Sequence, residues 1–156
     1  MADDLYAKPL PEPSRDSKPY WDALQEGRLV IQQCGACGKL RHYPRPVCDA
    51  CYSMEVTWRQ VCGRGRIHSW TVSHHPFHPG FKSELPYVLA TVDLEEGVRM
   101  LAQLRGVTPD EIAVGLPVEI AFERATEELT LPVFVRQGTP VQRVADEATA
   151  QSRERQ

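Results

Sequence analysis

Four of the five cysteines form two Cys-x-x-Cys pairs, Cys34-Gly35-Ala36-Cys37 and Cys48-Asp49-Ala50-Cys51, with ten residues between them. That spacing lets four thiolates converge on one tetrahedral zinc ion, each pair supplying a short knuckle whose backbone amides point at the sulfurs. Four thiolates leave no position open for water, so the expected zinc is structural, one per chain. Two disulfides are the rival use of these residues. The chain opens Met1-Ala2-Asp3-Asp4 with neither a basic n-region nor an apolar h-region, which predicts a cytoplasmic protein with reduced thiols. A dithiol redox centre needs only one such pair, usually in a βαβ pattern, and none is readable. The fifth cysteine, Cys62, lies eleven positions past Cys51 at the start of an apparent strand. It reads as a small buried hydrophobe and not as a ligand. Gly38 follows the first pair, where a knuckle often needs positive φ, but Tyr52 holds the equivalent place after the second; an irregular second knuckle is expected.

The elements that position these cysteines belong to a β-rich chain. With 156 residues, 42% apolar and 25% charged, there is enough for one modest core plus the ribbon and too much polarity for a membrane span. Thirteen prolines and ten glycines suit many turns and short elements. A net charge of −3 argues against the basic stripe that nucleic-acid backbones require.

Residues 1–15 carry Pro9, Pro11 and Pro13 among polar residues and read as an extended arm. Tyr20, Trp21 and Leu24 fall at helical spacing between Asp16 and Glu26, with Asp16 or Ser17 as cap and Gly27 at the stop. The two aromatics suit either a core or a surface for another subunit. Arg28 to Gln33 leads into the first knuckle and Val56 to Val61 leaves the second; Lys39, Arg41 and Arg45 make this lobe locally basic. Five alternating segments follow: Arg66 to His74, Tyr87 to Leu94, Val98 to Leu104, Pro117 to Glu123, and Leu129 to Arg136 with Leu129, Leu131, Val133 and Val135 on one face. Gly63-Arg64-Gly65 permits a bulge or a close backbone approach before the first, and Glu95-Glu96-Gly97 makes a hairpin turn between the second and third. Thr108-Pro109-Asp110-Glu111 predicts one short helix closed by Gly115, between the third and fourth.

The reading is therefore mostly β: an arm and helix over 1–27, a zinc ribbon over 28–60, a five-stranded OB-fold barrel over 61–136 and a mobile tail over 137–156.

At this point the sequence resembles a known family. Tyr20-Trp21-x-Ala23-Leu24-x-x-Gly27-x-Leu29, the paired knuckles with Tyr43-Pro44-Arg45 between them, Gly63-Arg64-Gly65, Ser69-Trp70-Thr71-Val72, Pro86-Tyr87-Val88 and Gly97-Val98-Arg99 are similar to the acyl-CoA-associated family that joins a rubredoxin-like zinc ribbon to an OB fold. Tyr52 departs from it, standing where such proteins usually carry Gly. The resemblance implies a non-catalytic partner of a thiolase-fold enzyme, a β-ketothiolase or retro-aldolase. In that setting the OB domain helps bind the CoA thioester and shape the entrance. It also implies, as alternatives, a partnership with an enoyl-CoA hydratase-like protein. A nucleic-acid-binding ribbon and OB module is the reading from a different class.

One further cluster bears on this: His74-His75-Pro76-Phe77-His78-Pro79-Gly80-Phe81-Lys82, between the first two barrel strands. Three imidazoles could bind a metal or move protons. His74, His75, Phe77, His78 and Phe81 could instead flank adenine or pantetheine, with Lys82, Arg64, Arg66 or Arg99 reaching phosphate. The same residues equally suit a surface loop that is solvated or meets another subunit. Ser69 and Ser73 lack a nucleophile-elbow context and Cys62 has no activating neighbour, so no catalytic residue is assigned.

Overall fold

The computed structural model describes residues 6–140. Helix α1 (Lys18–Gln25) has Ser17 as its N-cap and Pro19 in its first turn. It ends where Gly27 takes φ 72°, with the Gly27 N–H donating to Leu24 O at 3.0 Å and the Arg28 N–H to Ala23 O at 2.9 Å. That pair of bonds satisfies the last carbonyls of the helix.

A small sheet follows, with β1 (Val30–Cys34) between β2 (Leu40–Arg41) and β3 (Val56–Gln60), both antiparallel to it. Then β4 (Arg64–Ser73), β5 (Tyr87–Leu94), β6 (Arg99–Leu104), β7 (Pro117–Arg124) and β8 (Thr130–Arg136) close into a barrel in the order β4-β5-β6-β8-β7, with β7 returning to β4. The β6–β8 contact is parallel and the rest are antiparallel. This is the OB-fold topology.

Alternation does its expected work in β5 and β6. Val88, Ala90, Val92 and Leu94 face inward, against Met100, Ala102 and Leu104 from the paired strand. Tyr20 and Leu24 of α1 and Ile31 of β1 join the same core, so helix, ribbon and barrel share one apolar interior. Gln25 ties the helix to β8, accepting from Thr130 Oγ1 at 2.7 Å.

Several expectations need correction. In β8 the face that carries Leu131, Val133 and Val135 is not the one that enters the barrel core. Phe134 is fully buried in the barrel, while Val133 and Val135 form a separate cluster with Ala121 of β7 on the other side of the strand. Both faces of Thr130–Arg136 carry apolar residues, so alternation alone could not choose between them. The helix at Thr108 is a single 3-10 turn, Pro109–Glu111, with the anticipated capping box; Ile112 ends it, well before Gly115. The irregularity in β4 lies between Ile67 and Ser69 and not at its glycines. Gly63 and Gly65 serve close approach instead: a Cβ at Gly65 would lie 2.5 Å from the Asp93 carbonyl oxygen. Of the anticipated tail, residues 141–156 lie outside the described residues.

Candidate metal centre and loop surface

The end of β1 delivers Cys34, a tight turn delivers Cys37, and the loop after β2 delivers Cys48 and Cys51. The four sulfur atoms lie within 4.8 Å of one another. Cys34 Sγ and Cys51 Sγ are 3.5 Å apart, and Cys37 Sγ and Cys48 Sγ 3.7 Å. A tetrahedron with metal–sulfur bonds near 2.3 Å has edges of about 3.8 Å, so the donor set fits such an ion. Cys34 and Cys48 are buried, while Cys37 and Cys51 are exposed. The metal centre therefore sits at the surface with one side against the lobe.

The two knuckles have the same backbone design. Cys34 N–H donates to Lys39 O and Cys48 N–H to Ser53 O, both at 2.9 Å. Gly38 N–H returns to Cys34 O and Tyr52 N–H to Cys48 O, both at 3.0 Å. The second knuckle is regular, contrary to expectation, because Tyr52 adopts φ 60°.

Electrostatics suit a cation. The N–H of Cys37 and then that of Ala36 stabilise the Cys34 thiolate and draw its pKa down to about 6. Cys51 behaves oppositely: although the Ser53 N–H favours its thiolate, the hydrogen bond it shares with Cys34 and burial push it up to about 12. Four thiolates so close cannot all ionise without a positive ion among them.

Cys62 is not part of this cluster. It is exposed in the β3–β4 connection, not buried in a strand, with its Sγ 3.4 Å from Glu95 Oε2.

The histidine-rich segment forms a 3-10 turn, Pro79–Glu84, in the β4–β5 loop. Its three imidazoles are not brought together with each other as a metal cluster among the described residues. His78 Nδ1 accepts from Gly80 N–H at 3.1 Å, His75 meets the Phe77 ring edge-on at 5.0 Å, and Phe77 is 81% exposed. Phe81 packs against Tyr87 at 5.2 Å. The turn is held from two sides. Glu84 accepts from Lys8 of the arm at 2.5 Å, from Gln103 at 3.1 Å and from Arg105 at 3.2 Å, and Arg105 also grips Glu123 at 3.0 Å. Burial raises the Glu84 pKa, but those donors outweigh it and keep the carboxyl below its usual range. Sequence reasoning missed this network, whose four charged members are far apart in the chain.

The arginines grouped with this loop lie elsewhere. Arg64 and Arg66 start β4 and Arg99 starts β6, at the end of the β4–β5 ladder opposite the loop. Ten residues of strand, about 30 Å, separate the two ends. Each arginine is already engaged: Arg64 with Glu95, Arg66 with Gly115 O, and Arg99 with Asp93 at 2.6 Å. Arg66 lines a cavity of about 330 Å³ together with Asp93, Glu95 and Pro117. Its mixed charge does not mark it for phosphate.

The outer face of β5 and β6, where OB folds commonly bind extended ligands, presents Tyr87, Leu89, Thr91, Asp93, Arg99, Leu101 and Gln103. It has one cation, paired with Asp93, and its one aromatic ring, Tyr87, already packs against Phe81. Leu101 is 60% exposed. Among the described residues no helix is long and apolar enough to cross a membrane.

Two family models match the chain: a "ChsH2, rubredoxin-like zinc ribbon domain" over residues 21–57 and a "ChsH2, C-terminal OB-fold domain" over 58–123. The chain is 45% identical over 127 residues to a "Probable enoyl-CoA hydratase alpha subunit" of Thermomonospora curvata, covering 81% of this chain and 39% of that protein. It therefore spans well under half the length of that relative. A "DUF35 domain-containing scaffold protein" of Pyrococcus furiosus is 38% identical over 109 residues, covering 69% of this chain and 79% of that one. A solved structure described as "Ltp2-ChsH2(DUF35) aldolase" contains a chain 43% identical, with a TM-score of 0.74, covering 81% of this chain and 98% of that one.

Proposed function

The chain belongs to the ChsH2-type family that joins a rubredoxin-like zinc ribbon to an OB fold, and we propose that it is a non-catalytic subunit of a thiolase-type acyl-CoA enzyme. The observation that carries this is the likeness to the ChsH2 chain of the Ltp2–ChsH2 aldolase, which extends over 98% of that chain. The centre of Cys34, Cys37, Cys48 and Cys51 holds one zinc per chain, and with four sulfurs around it the ion is structural. The partner supplies the chemistry. The barrel and the 74–82 loop help bind the CoA thioester and shape the partner's entrance, with exposed Phe77 and Lys82 as the contacts to substitute first.

A tagged chain should copurify a thiolase-fold protein, and the purified chain alone should not turn over acyl-CoA. Loss of the idea follows if no such protein is captured and the thiolase works fully without this chain. A second reading, a hydratase partner, is favoured by the 45% identity to the hydratase alpha subunit. Capture of an enoyl-CoA hydratase-like protein, with hydration restored on mixing, would select it. The nucleic-acid reading predicts salt-sensitive binding to single-stranded oligonucleotides, which the acidic balance and the single, paired cation of the β5–β6 face disfavour.

A further inference from the structure

Arg41 is 4% exposed, the single charged residue buried among the described residues. Its guanidinium is poorly matched. Nε donates to Gln32 Oε1 at 2.6 Å and Nη2 to Arg45 O at 3.2 Å, while Nη1 is buried and makes no hydrogen bond with any described residue. Both acceptors are neutral, and Gln32 Oε1 also takes the Arg45 N–H at 2.8 Å. Among the described residues Arg41 has no carboxylate in ion-pair range; the nearby Lys39 and Asp49 pair with each other on the surface. A buried cation without an opposing charge is strongly unfavourable, so the opposing charge must come from elsewhere in the lobe.

The register of the ribbon sheet says where. Gln32 of β1 pairs with Arg41 of β2, so the two side chains leave the same face. Cys34 is two residues further along β1 and leaves that face too, about 7 Å away along the strand. Four thiolates around a divalent ion carry a net charge of −2.

We propose that Arg41 is the internal counter-cation of the metal-loaded tetrathiolate, so that metal binding and burial of this guanidinium stabilise each other. The proposal rests on the ribbon holding a metal through its four cysteines. With metal bound, the dianionic centre compensates the buried guanidinium, whose Nη1 has no other partner among the described residues. Gln32 and the Arg45 carbonyl orient the guanidinium, which makes Arg41 a positioning and charge-balancing residue and not a ligand.

The test uses the full chain as wild type, Arg41→Met and Arg41→Lys. Metal content of the wild type is measured first: a protein that takes up no zinc overturns the metal reading itself, separately from the role of Arg41. Zinc affinity is then read by competition with a chromophoric chelator. Arg41→Met should bind about tenfold more weakly or worse, and Arg41→Lys should recover part of the loss. A residue that merely packs could also lower affinity, so the deciding readout is electrostatic. In the iron-substituted protein the ferrous centre carries −2 and the ferric −1, so removing a nearby cation must favour ferric iron. The midpoint potential should fall in Arg41→Met, by about 59 mV for each tenfold change in relative affinity, and fall less in Arg41→Lys. An Arg41→Met potential equal to wild type, whatever the affinity, overturns the counter-cation role.

Discussion

Gly38 and Tyr52 occupy the same place in the two knuckles, each donating its N–H at 3.0 Å to the carbonyl of the cysteine four residues earlier, at φ 76° and 60° respectively. One is glycine and the other a tyrosine that is 79% exposed. Left-handed backbone costs an L-residue about 1 to 2 kcal/mol, partly offset when glycine replaces it because glycine loses more entropy on folding. Tyr52→Gly should therefore stabilise the metal-loaded protein by about 0.5 to 1 kcal/mol, a rise of about 2 °C in thermal midpoint. No rise, or a fall, would mean that the exposed ring makes a contact worth as much as the strain.

The ribbon lobe has little core of its own beyond Leu29, Val30, Ile31 and the partly buried Leu40 and Trp58. Metal binding must supply much of its folding free energy. Cys34→Ser or Cys51→Ser should abolish stoichiometric metal, and chelation of the wild type should reproduce the effect. Hydrogen exchange over residues 30–60 would then speed up strongly, while that of the barrel changes little. Equal protection in the chelated and loaded proteins would contradict this.

Gly65 runs against β5, and a methyl group there would strike backbone atoms of Asp93 and the Val92 side chain at 2.5 to 3.0 Å. Backbone in a closed ladder cannot retreat as a flexible side chain can. Gly65→Ala should cost about 3 kcal/mol. Gly97, at φ 86° with open space around it, should cost about 1 kcal/mol when changed to Ala. Denaturant midpoints of the two variants, compared directly, check the ranking.

His42 lies between the rings of Tyr20 and Tyr43, with centroids at 5.3 and 5.6 Å, and burial draws its pKa down to about 4. Below pH 6.5 the unfolded chain takes up a proton that the folded protein refuses until about pH 4. Stability should therefore decline as pH drops through that window, by about 2 kcal/mol from this residue. His42→Gln should flatten the decline. Acid release of metal affects both proteins alike, so the difference in urea midpoints at pH 6.5 and 5.0 isolates the histidine; parallel curves would exclude it.

What local chemistry could specify was legible in the chain itself. Two Cys-x-x-Cys pairs dictate a tetrahedral site wherever they fold, and period-2 alternation in Tyr87–Leu94 and Arg99–Leu104 names the inward residues because only one face of each is consistently apolar. The helix of Lys18–Gln25 was readable for the same reason, from spacing and its Gly27 stop. Tertiary structure decided the rest, because the deciding partners are remote in sequence. It turned Phe134 inward on a strand with two apolar faces, and set Arg64, Arg66 and Arg99 at the end of the ladder away from His74–Lys82. It joined Lys8, Glu84, Arg105 and Glu123 into one network, and enclosed Arg41 on the cysteine side of the ribbon, where burial turns a surface residue type into an electrostatic component.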